Sequence, residues 1–294
     1  MSLPPPIPGI ATFHTGPDRL TRLRISSALA TAEIALQGAH VTHFQPAGAA
    51  PVLFLSRSSH FAPGQPIRGG VPVCFPWFGP RAGRPASPAH GFARIMPWEV
   101  ESLTGSDDRG VIAILRLASD DRTRAHWPHD FIARLRIEIA RQLTLTIEVE
   151  NTGTTPFQFE EALHTYFAVS DIRNGSVTGL EGAAYLDKVD SLRRKQLGSE
   201  PLRIETETDW VFSRSATTCI IDDPALSRRI IVEKSGSQTT VVWNPWIAKA
   251  AAMADFGDDE WPRMLCIETA NTAEDAITLA SGARHLMTAT IALG

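Results

Sequence analysis

The sequence has little cysteine: Cys74, Cys219 and Cys266 are all it contains in 294 residues. They lie far apart, form no CxxC pair and are odd in number, which argues against a disulfide framework or a structural zinc site. Positive charge is not in excess. Lys and Arg total 28 against 32 Asp and Glu, a formal net charge of −4, so nucleic acid is not expected as the partner. A few local arginines can still hold a small polyanion. No apolar run reaches the length of a membrane helix, so no membrane partner is expected either. The opening stretch MSLPPPIPGIATFHTG lacks the basic-then-apolar order of a secretory signal. A reducing cytoplasm is the expected location. Helical periodicity is also nearly missing; DPALSRR and TAEDAI offer a turn or two.

What the chain has is alternation. In LRIEIARQLTLTIEVENTG, Leu135, Ile137 and Ile139 point one way. After a turn at ARQ so do Leu143, Leu145, Ile147 and Val149, with charges and threonines opposite. That predicts two strands of a half-buried antiparallel sheet. RLRISSALATAEIALQGAHVTHFQPAG repeats the pattern near the start, with Gly38 as a turn or bulge. GVIAILRLAS, RRIIVEK, QTTVVWN, MLCIETA and HLMTATIAL add further short runs separated by Gly, Pro, Asn and Asp. The expected fold class is all-β, one domain of two packed sheets over residues 1–294. A loose N-terminal arm, proline-rich at its start, is expected over about the first 20 residues.

Four segments carry polar residues in settings that resist them. IRGGVPVCFPWFGP is rich in Gly and Pro but lacks the Lys-Ser/Thr ending of a phosphate loop. It fits the wall of a ligand pocket, or a crossover between sheets. HGFAR follows, with His90 and Arg94. His164 lies in the apolar run EEALHTYFAV, where burial without a partner is costly. Glu268 ends the run MLCIE, which reads as a strand buried on both faces, so its carboxylate is either paired or functional. Asp209 in ETETDWVF carries less weight, since acidic loops are usually just solvated. Two imidazoles and a carboxylate suit acid–base work on a sugar or polyol. They also suit a two-His-one-carboxylate metal site. The absence of an HxH or HxD pair favours the first without deciding it. Trp77, Phe78, Trp243 and Trp246 are candidates for stacking on a sugar.

In order along the chain, IRGGVPVCFPWFGP, HGFAR, LHTYF, ETD, WNPW, MADFGDDEW and CIETAN resemble the hexose-6-phosphate mutarotases (glucose-6-phosphate 1-epimerases) of the aldose 1-epimerase superfamily. The likeness runs over about residues 25 to 290. It implies a large antiparallel β-sandwich of galactose mutarotase type. It implies a reaction that interconverts α and β anomers with no cofactor and no metal, on a small-molecule sugar phosphate, by a protein expected to be a monomer. By the resemblance, Glu268 is the general base and His164 the general acid. His90 lies in the pocket, Asp209 holds sugar hydroxyls, and Arg68 and Arg94 contact the ligand. Many relatives have a glutamine just before HG; here the residue is Ala89. The rival readings are an epimerase of unphosphorylated aldoses, a non-catalytic carbohydrate-binding sandwich, and the metal enzyme. If HGFAR is a strand, even spacing puts Arg94 on the face of His90.

Overall fold

The alternating stretch folds as two nine-residue strands, Phe131–Ile139 and Leu143–Asn151, paired antiparallel. Their odd-numbered residues are buried and the others half-exposed. Such patterning buries one face of a sheet and leaves the other to water. The computed structural model describes residues 3–81 and 83–294.

These two strands belong to an eight-stranded sheet. Its order is Ser176–Thr178, Cys219–Asp223, Arg228–Ser235, Arg284–Leu293, Leu143–Asn151, Phe131–Ile139, Gly110–Ala118, Glu99–Ser106. Its solvent face carries ion pairs such as Arg134 with Glu101, Glu148 and Glu150. A second eight-stranded sheet has the path Arg193–Gln196, Ala184–Asp187, Thr208–Ser213, Thr239–Asn244, Met264–Asn271, Glu161–Leu163, Val73–Cys74, with Tyr166–Ala168 also paired to Met264–Asn271. Leu145, Ile147 and Val149 of the first sheet and Phe212, Val242, Leu265 and Ile267 of the second share one hydrophobic core. The architecture is a large antiparallel β-sandwich. A four-stranded sheet of Ala11–Thr15, Thr21–Ser26, Ala30–Ala35 and His40–Pro46 adds to it. The turn expected at Gly38 is present between the last two of these strands, while the register shift falls earlier, between Glu33 and Ile34.

Three expectations need correction. The N-terminal arm does not extend to residue 20, because Ala11–Thr15 is a strand paired along its length with Thr21–Ser26. Ala11 is fully buried, and that burial ties the segment down; Met1 and Ser2 lie outside the described residues. Helix is scarce but not confined to the two expected turns. Those are 3₁₀ turns at Pro224–Leu226 and Ala273–Asp275. Short α-helices also form at Asp121–His126, where Asp120 and Thr123 make a reciprocal capping box, and at Trp246–Ala252. HGFAR is not a strand, as described below.

Candidate active site

The site is built on the strand Met264–Asn271, all eight residues of which are buried. The continuous apolar run has the cause expected of it: both faces are covered. Leu265 and Ile267 face the core between the sheets, and Glu268 lies on the opposite side of the same strand. Glu268 sits inside this strand and not at its end.

His164 does not lie within a strand. It falls in a break between Glu161–Leu163 and Tyr166–Ala168. There the Thr165 N–H turns back to the Leu163 carbonyl, and the His164 N–H donates to Pro72. Both flanking strands pair with the Glu268 strand, Leu163 opposite Thr269 and Tyr166 opposite Cys266. The register is unbroken across the gap, so His164 stands opposite Glu268. Residues opposite one another in an antiparallel ladder project to one face and their side chains meet. His164 Nε2 is 3.3 Å from Glu268 Oε1. Glu268 is 1% exposed and His164 7%.

On the other side of this strand Val241 lies opposite Glu268 and Trp243 opposite Cys266; Asp209, one strand further out, lies opposite Trp243. One sheet face therefore carries His164, Glu268, Trp243 and Asp209. It floors a cleft of about 370 Å³ walled by Arg68, Phe78, His90, Lys188, Lys249 and Met253 among others. Tyr166 stacks on His164 with centroids 4.9 Å apart and planes at 12°.

His90 reaches the cleft from a left-handed turn, with φ of 61° at His90 and 76° at Gly91. A Cβ at Gly91 would lie 2.0 Å from the Phe75 carbonyl oxygen, so only glycine fits after His90. The Gly79 N–H donates to His90 Nδ1 at 3.4 Å, which places the ring proton on Nε2. The ring centroids of His90 and His164 are 5.5 Å apart.

Arg94 is displaced from its expected place. The segment enters a 3₁₀ turn at Ala93–Ile95, so the even-spacing argument that put Arg94 on the face of His90 lapses. Its Nη2 donates to the Ala89 carbonyl at 2.8 Å. Among the described residues Arg94 is not part of the cleft wall, although its charge bears on His90 and His164. Arg68 is in the wall, held by Asp255 at 3.0 Å and donating to the Tyr166 hydroxyl at 3.1 Å. The glycines after it do not open the backbone to a ligand. A Cβ at Gly70 would lie 2.2 Å from the Val41 carbonyl oxygen, so the space is taken by the neighbouring strand. The aromatic candidates divide: Phe78 and Trp243 line the cleft, Trp77 donates its indole N–H to Pro88, and Trp246 packs on Trp261.

Burial holds the Glu268 carboxyl well above the usual carboxylate range, and nearby Asp209 adds to this while Lys188 opposes it. Burial, then the neighbouring His90, Arg94 and Arg68, hold His164 well below the ordinary imidazole value. His90 is depressed in the same way by burial, Arg94, Lys188 and Arg68. Glu268 Oε2, His164 Nδ1 and Arg94 Nε are buried with no hydrogen-bond partner. Unpaired buried polar atoms are rare, and those of Glu268 and His164 belong to the two side chains in contact on the cleft floor. Among the described residues no three His, Cys, Asp or Glu side chains are grouped to hold a metal ion, which leaves the metal reading without a donor set there. Sequence reasoning missed Lys188 and Lys249; neither stands in a context that singles it out.

Comparison with known proteins bears on the fold and the family. A protein of Salmonella typhimurium solved by crystallography and provisionally described as a mutarotase superposes with a TM-score of 0.92 at 32% identity, over 100% of this chain and 96% of its own. A galactose mutarotase-like protein of Clostridium acetobutylicum superposes at 0.70 with 15% identity, over 97% of this chain and 98% of its own, a likeness of fold alone. The fold is thus that of the mutarotases. The aldose 1-epimerase family model matches residues 21–291. An Escherichia coli K12 protein provisionally named glucose-6-phosphate 1-epimerase is 38% identical over 87% of this chain and 85% of its own length. The chain belongs to the aldose 1-epimerase family, a family of sugar epimerases.

Proposed function

We propose that the protein interconverts the α and β anomers of a hexose 6-phosphate such as glucose 6-phosphate, with Glu268 and His164 as the proton-transfer pair. The observation that carries this reading is their contact at 3.3 Å on the floor of the cleft. The hydroxyl and ring oxygens to be handled share one carbon, C1, so an acid and a base acting on them must be close neighbours. Glu268 takes the proton of the C1 hydroxyl while the proton held by His164 passes to the ring oxygen and the C1–O5 bond opens. Rotation about C1–C2 exposes the other face of the aldehyde. The ring closes as His164 recovers its proton and Glu268 returns one to O1. A carboxylate raised by burial is a stronger base, and an imidazolium depressed by burial is a stronger acid. His90 offers its Nε2–H to a sugar oxygen, Asp209 accepts from sugar hydroxyls, and Phe78 and Trp243 offer apolar ring faces.

Arg68 is the guanidinium in the cleft wall and the candidate for the phosphate, which arginine binds through paired hydrogen bonds. Arg94, with its unpartnered Nε, is the second. One observation favours a second reading, an epimerase of unphosphorylated aldoses. Arg68 is already engaged by Asp255 and Tyr166, and Arg94 is not in the wall. The deciding experiment is anomer exchange by NMR or polarimetry on glucose and glucose 6-phosphate. Faster exchange of the phosphorylated sugar supports the first reading and equal rates the second. Binding of either sugar without exchange would leave a non-catalytic carbohydrate-binding sandwich.

A further inference from the structure

The proposed reaction needs Glu268 ionised to take a proton and Asp209 ionised to accept from hydroxyls, and both line one cleft. Like charges in a shared, poorly solvated site oppose each other's ionisation. Among the described residues the surroundings hold few free cations. Burial and neighbouring positive charge depress His164, in contact with Glu268, and His90, so neither is a standing cation in the cleft without sugar; His164 carries charge only as the acid of the reaction. Cys74, Cys266 and Tyr166, the other titratable groups bearing on Glu268, are kept protonated chiefly by burial. The charge of Arg68 is matched by Asp255 at 3.0 Å. Lys249, on the helix Trp246–Ala252, is exposed and 3.5 Å from Glu207; it bears on Asp209 less than Lys188 does, and Lys188 alone of the two bears on Glu268. Arg94 is bonded to the Ala89 carbonyl outside the wall.

That leaves Lys188. It follows the strand Ala184–Asp187, and its backbone N–H donates to the Asp209 carbonyl at 2.9 Å. Its Nζ lies 3.2 Å from Asp209 Oδ1 and 5.2 Å from the centre of the Phe78 ring, in the wall of the same cleft. The main chain thus fixes the point from which the ammonium reaches inward.

We propose that Lys188 is a positioning residue, a built-in counter-ion that holds the Asp209 carboxylate in place and lets Asp209 and Glu268 carry charge together. The proposal rests on the functional reading above. Burial raises the pKa of Asp209 as it does that of Glu268, and Lys188 opposes the rise in both. Removing the ammonium therefore moves both carboxyls up, and the doubly ionised form is reached only at higher pH.

The test is the pH dependence of kcat/KM for wild type, Lys188→Met, Lys188→Gln, Lys188→Arg and the double variant Lys188→Met/Asp209→Asn. It is paired with carbon-13 titration of the Glu268 and Asp209 carboxyls in the same proteins without sugar. The acid limb is expected to move up by about one pH unit or more in the Met and Gln variants. Arginine should restore most of it. In the double variant the limb should fall back toward the wild-type position even though the rate is lower, because one carboxylate no longer opposes the other. The carboxyl titrations should move the same way. Unmoved limbs and titrations with a uniformly lower rate would overturn the proposal in favour of a structural role. A loss confined to KM for the phosphorylated sugar, with the limb in place, would make Lys188 a phosphate ligand instead. Should wild type exchange no sugar at all, the functional reading fails and the carboxyl titrations still decide the case of Lys188.

Discussion

The strands Leu143–Asn151 and Met264–Asn271 belong to the two large sheets and differ in one respect that explains most of the molecule. The first alternates buried and half-exposed residues throughout; the second is buried at every position. Alternation means that water takes the second face. Continuous burial means that something else does, and here it is the layer of cleft side chains. The first sheet is built mostly of long strands, whereas the second is interrupted beside the proposed catalytic pair, with a break at His164 and a two-residue strand at Val73–Cys74. A carboxylate on a face that water has left is either an error or a tool. The His164 contact and the second, unpartnered oxygen of Glu268 argue for the tool.

Substitutions at the two strands should separate accordingly. The largest effect is expected from Glu268→Gln and His164→Ala, each lowering kcat by about 10²–10⁴-fold with folding intact. Exchange NMR reads the rate and circular dichroism the fold; near-wild-type turnover in either would remove that residue from the mechanism. In the first sheet the cost should fall on stability. Ile147→Ala, at a buried position, should cost about 2–5 kcal/mol. Thr144→Ala, on the half-exposed face of the same strand, should cost about 0.5 kcal/mol or less. Urea titration measures both, and activity per folded molecule should be unchanged. Equal costs would mean that the second face of this sheet is covered too.

Arg68→Ala sharpens the comparison from the ligand side. It should lower kcat/KM for glucose 6-phosphate by roughly ten- to a hundred-fold, the effect of losing a charge-assisted hydrogen bond, and leave glucose nearly untouched. Equal losses on the two sugars, measured by polarimetry, would assign Arg68 to the ring or to the fold. The last effect concerns pH. Burial raises the folded-state pKa of Glu268, so its stabilising contribution is full below the unfolded carboxyl value and is lost as pH rises toward the folded value. Relative to Glu268→Gln, wild type should weaken by up to about 1.4 kcal/mol per pH unit across that window. Parallel stability curves for the two proteins would show that Glu268 is not desolvated.

The sheets were legible because their signal is local. Period-two alternation is written in consecutive residues such as Leu143 to Val149, and the unbroken run before Glu268 announced a doubly covered strand. The candidate residues were legible too, as polar groups in apolar company, and the resemblance gave them roles. Their meeting was not. His164 faces Glu268 only because two short strands on either side of a break keep one register with a strand far along the chain, and long-range register leaves no mark in either segment. The fate of Arg94 was hidden by a left-handed turn at His90–Gly91 that converts an apparent strand into a 3₁₀ turn. Lys188 gave no sign, since an ordinary lysine after a short strand becomes notable only beside Asp209.

The central claim is that Glu268 and His164 act as one proton-transfer unit. The most direct measurement is the α–β exchange rate of glucose 6-phosphate by NMR in wild type, the two single variants and Glu268→Gln/His164→Ala. Residues that work as a unit lose their effect together, so the double variant should be about as slow as the slower single one. Losses that multiply would contradict the account and show two side chains acting independently.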